Sequence, residues 1–126
     1  MKKIIETSEA PSPIGPYSQA ILFDNTLYTS GQIAIDPKTG NLMTGDIDTE
    51  TKQVMNNLAA VLKEAGMNFE NVIKTTIFIK NMDHFQEINS IYGSYFNEDT
   101  APARETVEVA RLPKDVHVEI SLLARK

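Results

Sequence analysis

Apolar residues recur along the chain at two spacings, which predict strands in some segments and helices in others. Residues 20–23 and 26–33 favour strands, and Asp24 and Asn25 between them tolerate turn dihedrals, so the pattern predicts a β-hairpin. The segment that ends at Gly40 is typical of a turn. A further short strand is therefore expected around Leu42 and Met43.

The first helix has the clearest pattern. Apolar residues recur there at i, i+4, i+7, i+8 and i+11, namely at Val54, Leu58, Val61, Leu62 and Ala65. Asp46 or Asp48 can cap the start of this helix, and Gly66 can end it in a left-handed conformation.

A second helix is predicted to begin near Asp83, which can cap it, and to continue towards Phe96. Phe85, Ile88 and Tyr92 recur there at helical spacing. Between the two helices, residues 72–80 alternate as a strand does. The face of this strand that is expected to be apolar carries Ile73, Thr75, Ile77 and Ile79.

The last part of the chain is predicted to form two strands, at residues 105–110 and 116–124, joined as a hairpin by residues 111–115. Strands that alternate with two helices predict an α/β or α+β fold, with a mixed sheet of about six strands and both helices on one face. Residues 1–126 are expected to form a single domain. No helix remains to cover the other sheet face, which points to an oligomer.

The residues that the chain lacks restrict its chemistry. With no Cys there can be no disulfide, thiol nucleophile, iron–sulfur cluster or Cys-ligated zinc. The two histidines, His84 and His117, lack the spacing of a metal-binding motif. His84 is expected in the first turn of the second helix, and His117 is expected to be a solvated strand residue. We expect neither metal nor cofactor.

Charge and hydropathy restrict the partners. The formal charge of −5 comes without a basic cluster, which argues against nucleic-acid binding. No stretch approaches the ~20 apolar residues of a membrane span, and the N-terminal segment lacks an apolar signal-peptide core. These features predict a cytoplasmic protein with neither a nucleic-acid nor a membrane partner.

Arg104 and Glu119 are the main candidates for chemistry. If the last two strands pair as a hairpin, Arg104 lies near position 121, and Glu119 becomes its diagonal neighbour at ~7–8 Å. Glu119 alternates with Val118 and Ile120, so it points to the polar face. The pair could then hold a small anionic substrate and a water molecule. On spacing alone, an exposed ion pair is the more common explanation.

Two positions before the first helix each have two interpretations. Gly31, which follows Ser30 at a strand end, could let backbone amides approach a ligand, or it could mark a β-bulge, which is the commoner case. Tyr17 lies in the proline-rich segment 10–18, which is expected to be an ordered loop. Its ring could cover the core, which is the default, or place its hydroxyl over a pocket.

Several blocks of the sequence, in order, resemble the Rid family of reactive-intermediate (enamine/imine) deaminases, also known as translation-inhibitor endoribonucleases. The blocks are IGPYSQ at 14–19, YTSGQ at 28–32, EAGMNFENVIKTTIFIKNM at 64–82, PAR at 102–104, VEVARLPKD at 107–115 and VEI at 118–120. Since separate blocks match in register through nearly the whole chain, the protein is identified as a member of this family.

The resemblance implies a chorismate-mutase-like fold that assembles as a homotrimer, with sheets around a central barrel and a cleft between each pair of subunits. The implied reaction is hydrolysis of 2-iminobutanoate and 2-iminopropanoate (2-aminoacrylate) to a 2-oxoacid and ammonia. Pyridoxal-phosphate-dependent dehydratases would supply these substrates. No cofactor is required, because a protonated imine is already electrophilic and needs only a positioned water and a proton carrier.

The resemblance also implies residue roles. Arg104 stands at the family's arginine, which clamps the substrate carboxylate, and Glu119 at the acid that positions or activates water. The other matched positions are expected to bind substrate, with Thr106 acting mainly through its main chain where the family often has Cys. They are Tyr17, Ser30, Gly31, Asn89 and Thr106.

The chain departs from the family pattern at two positions. Glu105 stands where Ser is usual, and Ser121 where many members carry another acid. In an alternating strand Glu105 points away from Arg104, whereas a bulge would let it compete with the substrate carboxylate. A trimer that binds 2-oxoacids without turnover and an endoribonuclease remain alternative functions. The intact Arg104 and Glu119 favour the deaminase.

Overall fold

The computed structural model describes all 126 residues and contains one mixed sheet with two helices. The strands are β1 (Lys3–Ile5), β2 (Ala20–Phe23), β3 (Thr26–Thr29), β4 (Val72–Ile79), β5 (Ala103–Glu108) and β6 (Val118–Arg125), and the helices are α1 (Ile47–Glu64) and α2 (Phe85–Gly93). The sheet order is β1-β2-β3-β6-β4-β5, with every neighbouring pair antiparallel except the parallel pair β4 and β5. The predicted α+β fold class is confirmed.

Both helices pack on the same face of the sheet. Leu58 of α1 is fully buried in one core with Ile120 and Leu122 of β6. On α2, the Tyr92 hydroxyl lies 2.7 Å from the Thr75 hydroxyl of β4, which is buried on that face. Burial of each such large apolar side chain contributes about 1.5–3 kcal/mol, so the sheet face and the helix stripes account for most of the stabilisation.

The helix ends are set by side-chain and glycine caps. Asp46, rather than Asp48, caps α1 by accepting a hydrogen bond from the Thr49 N–H at 2.8 Å. Gly66 adopts the expected left-handed conformation, with φ of 74°, just beyond α1. Neither α1 nor α2 combines the length and the apolar character that a bilayer-spanning helix requires.

The start and end of α2 differ from the prediction. A short 3-10 turn over Met82–His84 precedes it, and Asn81 caps that turn, so Asp83 is not the cap and His84 lies before the helix. The helix ends at Gly93 and not near Phe96, although Phe96 still packs on Tyr92 with ring centroids 4.8 Å apart.

Strands β3 and β4 are less regular than their apolar patterns predicted. β3 ends at Thr29, and beyond it only Gln32 bridges to Ile120. The strand expected at Leu42 is a single bridge to Ile35. In β4 the register shifts between residues 72 and 74, which leaves Ile73 51% exposed and buries Val72 instead. A bulge moves one residue to the opposite face, which alternation alone does not reveal.

The predicted C-terminal hairpin is wrong. β6 lies between β3 and β4, and β5 pairs in parallel with the other side of β4 as the edge strand. The crossover that parallel pairing requires is supplied by α2, which lies between β4 and β5 in the chain. The central position also buries the apolar side of β6, including Val118 and Ile120, whereas every residue of β5 except Thr106 is exposed.

The sheet face opposite the helices carries solvent-exposed apolar side chains. Ile4, Tyr28 and Val107 alternate along their strands with residues on the helix side, and they are 50, 48 and 41% exposed. The predicted uncovered face is therefore confirmed. Apolar surface of this kind is a common feature of protein interfaces.

Candidate functional site

A cleft of about 460 Å³ lies beside the loop of residues 10–18 and the start of β6. Its lining includes Tyr17, Ser30, Gly31 and Glu119, together with Lys114 at the turn before β6. The chain thus brings together four residues that the sequence predicted for one site.

Gln19 holds the proline-rich loop in place. This buried side chain accepts a hydrogen bond from the Thr7 N–H at 2.7 Å and donates to the carbonyl groups of Thr7 and Pro11 at 3.0 and 2.8 Å. The Ser30 hydroxyl adds a 2.6 Å hydrogen bond to the Ser18 carbonyl. These bonds confirm an ordered loop.

Tyr17 does not cover the core. It is 52% exposed and borders the cleft, so the default interpretation of this ring is wrong. Its hydroxyl accepts a long hydrogen bond of 3.4 Å from the Ile14 N–H, which leaves hydrogen-bonding capacity for a ligand.

Glu119 packs directly on the backbone of Gly31. A Cβ atom at position 31 would lie 2.8 Å from Glu119 Cδ and 2.9 Å from Cγ, which is closer than real Cβ contacts allow. Gly31 therefore allows the close approach of a side chain. It also lies where the register against β6 shifts by one residue, between the Tyr28–Leu123 and Gln32–Ile120 pairs, so the bulge interpretation is confirmed as well. The Glu119 carboxyl group has no hydrogen-bond partner in the chain, and burial raises its pKa.

Arg104 lies at a different place, against α2. Its Nη1 donates a 2.5 Å hydrogen bond to Asn89 Oδ1. The guanidinium lies over the rings of Tyr92 and Phe85, 5.2 and 5.6 Å from their centroids, within the range of cation–π attraction. The Tyr92 ring is fixed in turn by its hydrogen bond to Thr75.

Within one chain, Arg104 and Glu119 are not neighbours. Arg104 is in register with Thr75 on the helix face, whereas Glu119 is in register with Phe78 on the opposite face, with β4 between them. The cleft at Glu119 does not include Arg104, and the two clefts at Arg104 do not include Glu119. The diagonal contact and the exposed ion pair that a hairpin would create are therefore both wrong, because the hairpin does not form.

The remaining predicted residues lie with Arg104. Thr106 borders a cleft with Arg104 near Asp83, and Asn89 borders the adjoining cleft with Arg104 and Tyr92. The Thr106 hydroxyl oxygen is buried without a hydrogen-bond partner. The chain therefore carries two separate groups of predicted site residues, which we call the Arg104 half and the Glu119 half.

Glu105 points away from Arg104, as alternation predicted. Its carboxylate lies 3.0 Å from Lys74 Nζ and accepts a 2.5 Å hydrogen bond from the Thr76 hydroxyl. These two contacts, Thr76 first, lower the pKa of Glu105. The alternative in which Glu105 competes for Arg104 is wrong.

His117 is not a solvated strand residue. Its Nδ1 lies 2.7 Å from an oxygen of Glu50, a fully buried carboxyl group on α1. Sequence reasoning missed this pair, although one signal was present. Glu50 stands four residues before Val54, on the apolar stripe of the helix, where a carboxylate is unexpected. No group of three or more His, Asp or Glu side chains is placed to hold a metal ion.

Known proteins resemble this chain along nearly its whole length. The family model described as Endoribonuclease L-PSP matches residues 7–126. A RutC family protein of Synechocystis is 58% identical over 97% of this chain and 95% of its own length. The human 2-iminobutanoate/2-iminopropanoate deaminase is 44% identical over 98% of this chain and 90% of its own length.

Solved structures agree with the sequence matches. The Rid-family protein YyfA of Yersinia pestis superposes with a TM-score of 0.97 at 51% identity, with full coverage of both chains. E. coli TdcF, solved with bound serine, superposes with a TM-score of 0.92 at 40% identity over 98% of each chain. The chain therefore belongs to the Rid family, which the matching family model describes as Endoribonuclease L-PSP.

Proposed function

We propose that the protein hydrolyses 2-iminobutanoate and 2-iminopropanoate to the corresponding 2-oxoacids and ammonia. The observation that carries the proposal is the pair of half-sites, one with a cation held over two aromatic rings and the other with a carboxyl group of raised pKa. Relatives that bear this activity in their names, including the human protein, are 44–46% identical to the chain.

Arg104 binds the substrate carboxylate in this proposal. A guanidinium offers two parallel N–H groups to a carboxylate, and its contacts with Tyr92 and Asn89 hold that plane before substrate arrives. Asn89 and Thr106 lie beside it and complete the carboxylate end of the site.

Glu119 acts in this proposal as the general base and then the general acid of the hydrolysis. As a carboxylate it takes a proton from water while the water oxygen bonds to the carbon of the protonated imine. Glu119 then gives this proton to the nitrogen of the carbinolamine, and the C–N bond breaks to release ammonia. The hydroxyl proton passes to the Glu119 carboxylate as the C–O bond becomes the carbonyl of the 2-oxoacid, and Glu119 loses that proton to the released ammonia. A carboxyl group with a raised pKa suits this exchange at neutral pH. Tyr17, Ser30 and Gly31 line the same cleft as Glu119, where this proposal places the water and the imine nitrogen.

The two halves meet between subunits. Because they lie on opposite faces of one sheet, a second copy must place its Arg104 half beside the Glu119 half of the first. A head-to-tail contact of this kind forms a ring where its rotation closes. The homotrimer that the family resemblance implies would then hold three shared sites. The exposed edge strand β5 and the apolar open face support burial of these surfaces in an assembly.

The substrates come from dehydratases that use pyridoxal phosphate and release enamines from serine and threonine. The E. coli relative TdcF was solved with bound serine. Serine carries the α-carboxylate and α-nitrogen that an imino acid also presents, so the ligand in that relative agrees with an anion clamp next to a polar pocket.

The direct test couples this protein to a threonine dehydratase in a buffer low in free amine. Release of 2-oxobutanoate is expected to accelerate with the protein present, and Arg104→Ala is expected to remove the acceleration. No acceleration by the native protein would exclude the proposed activity, and equal acceleration by Arg104→Ala would exclude the clamp.

A regulatory trimer that binds 2-oxoacids is the second candidate, supported by the serine bound to TdcF. It predicts saturable 2-oxobutanoate binding without turnover.

Endoribonuclease activity, which the family description names, is less well supported, because the clefts offer few cations to a phosphate backbone. Lys114 is the only cation at the Glu119 cleft, and Arg104 is the only cation at the two clefts that it lines. RNA cleavage that copurifies with the protein would favour it.

A further inference from the structure

Glu50 is a fully buried carboxyl group that the proposed chemistry does not use. It lies in the first turn of α1. Its Oε2 accepts hydrogen bonds from the backbone N–H groups of His117 and Val118, at 2.7 and 3.2 Å. Its Oε1 lies within hydrogen-bond distance of His117 Nδ1, at 2.7 Å.

Packing alone does not require a carboxylate at this position. Burial of a charged group is unfavourable unless hydrogen bonds replace its hydration, and an apolar side chain would continue the stripe that begins at Val54. The distinctive property of Glu50 is that it connects α1 to the backbone that leads into β6. The His117 ring that completes the connection also contacts His84, with ring centroids 6.0 Å apart.

The residues that Glu50 holds come immediately before Glu119. The His117 carbonyl accepts a hydrogen bond from the Lys80 N–H at 3.0 Å, so both backbone groups of this residue are occupied. On the other side of Glu119, Gln32 and Ile120 exchange backbone hydrogen bonds of 2.8 and 3.2 Å. The Glu119 side chain has no hydrogen bond of its own, so its position depends on the backbone on both sides and on contact with Gly31.

We propose that Glu50 is a positioning residue for Glu119. Its carboxyl group fixes the backbone of His117 and Val118 and thereby sets where the Glu119 carboxyl group lies over Gly31. This role depends on the position of an acceptor oxygen within reach of two backbone N–H groups. It does not depend on the charge of the carboxyl group. The kinetic part of its test rests on the proposed deaminase function, whereas the spectroscopic part does not.

Two substitutions separate geometry from charge. Glu50→Gln retains an oxygen at the reach of Oε2, which can accept from both backbone N–H groups, and its NH2 group can donate to His117 Nδ1 when the ring carries its proton on Nε2. This variant is expected to keep kcat within about threefold of the native value. Glu50→Asp retains the charge but is one methylene shorter, and is expected to lower kcat about tenfold or more, because small misplacement of a catalytic group is costly. The KM is expected to stay within about twofold in both, since the carboxylate clamp is Arg104 on the other half.

Thr51→Ala is the matched control. Thr51 is as deeply buried as Glu50 and adjacent to it, but its hydroxyl bonds only to the Ile47 carbonyl of the same helix. If Glu50→Asp lowers kcat no more than Thr51→Ala does, or if Glu50→Gln is slower than Glu50→Asp, the proposal is wrong. Should Glu50→Asp not fold, Glu50→Met replaces it with the same expectations, because Met fills the space without a strong acceptor.

The position of Glu119 can also be measured without turnover. In the protein labelled with ¹³C at glutamate carboxyl carbons, the titration midpoint of Glu119 is expected to move in Glu50→Asp and to stay unchanged in Glu50→Gln and Thr51→Ala. Identical midpoints in all variants would overturn the positioning role. Absence of turnover by the native protein, with the expected NMR shift present, would overturn only the deaminase activity.

Discussion

The carboxyl group of Glu119 rests on the backbone of Gly31, with no space between them for a side chain. Gly31→Ala is therefore expected to displace Glu119 and to lower kcat for imine hydrolysis by about tenfold or more. Gly45→Ala is the control, since a Cβ at Gly45 meets nothing within 4 Å. Steady-state kinetics with both variants checks this, and a Gly31→Ala enzyme as fast as Gly45→Ala would contradict it.

Stability should depend on the ionisation of Glu119. Burial raises its pKa above the ordinary 4.5, so the folded protein binds a proton more tightly than the unfolded chain. This group therefore adds to the free energy of unfolding below about pH 4.5, where it is protonated in both states. That addition is lost as pH rises through the raised pKa of the folded protein. Glu119→Gln is expected to melt at a higher temperature than the native protein at pH 7, with the difference disappearing below pH 4.5. A difference in melting temperature that instead grows as pH falls would mean that folding lowers the pKa of Glu119, which would contradict the prediction.

The pKa of Glu119 is also expected to set the pH dependence of imine hydrolysis. If Glu119 must be ionised to take a proton from water, kcat/KM is expected to rise with pH and to level off above the raised pKa of this residue. The acid limb of the pH–rate profile measures it. A kcat/KM of the native protein that falls as pH rises through this range would contradict the role of Glu119 as the base.

Shared sites predict recovery of activity in mixed assemblies. Arg104→Ala and Glu119→Gln are each expected to be inactive. Equal amounts unfolded and refolded together should regain about a quarter of native activity, since in a ring each site independently takes a native Arg104 half and a native Glu119 half with probability of about one half. A site within one chain predicts no recovery, and the same proteins mixed without exchange serve as the control.

Arg104→Lys should weaken substrate binding more than it slows turnover. The ammonium retains the charge near Tyr92 but loses the planar pair of N–H groups, so we expect KM to rise by about tenfold with a smaller change in kcat. Arg111→Lys, in an exposed pair with Asp115, is the control and should leave both constants unchanged. Equal effects of the two substitutions would argue against bidentate binding.

Glu105→Ser should leave the kinetics nearly unchanged. Glu105 contacts Lys74 and Thr76 on the face away from Arg104, so restoring the usual family residue is expected to alter kcat/KM by less than about twofold. A larger change would mean that the contacts of Glu105 with Lys74 and Thr76 influence the site.

Local features of this protein were determined by the sequence itself. The apolar spacing from Val54 to Ala65 places α1, Gly66 ends it, and the alternation from Val118 onward puts Glu119 on the face opposite the core. Matching blocks through the chain identified the family and its candidate residues. These properties depend on residues close together in the chain, so a linear pattern contains them.

The partners of each element were decided only by the tertiary structure. Alternation states which side of a strand is apolar, but not which strand lies beside it, so β6 between β3 and β4 was not predictable from the pattern of residues 116–124. That pairing separates Arg104 from Glu119 and turns one expected site into two halves. The hydrogen bonds from Glu50 to His117 and Val118 likewise join positions 67 and 68 residues apart. Such contacts form because the strands and helices adopt the arrangement that buries all their apolar faces in one common core. That arrangement depends on residues from the whole chain, so no local segment of the sequence reveals it.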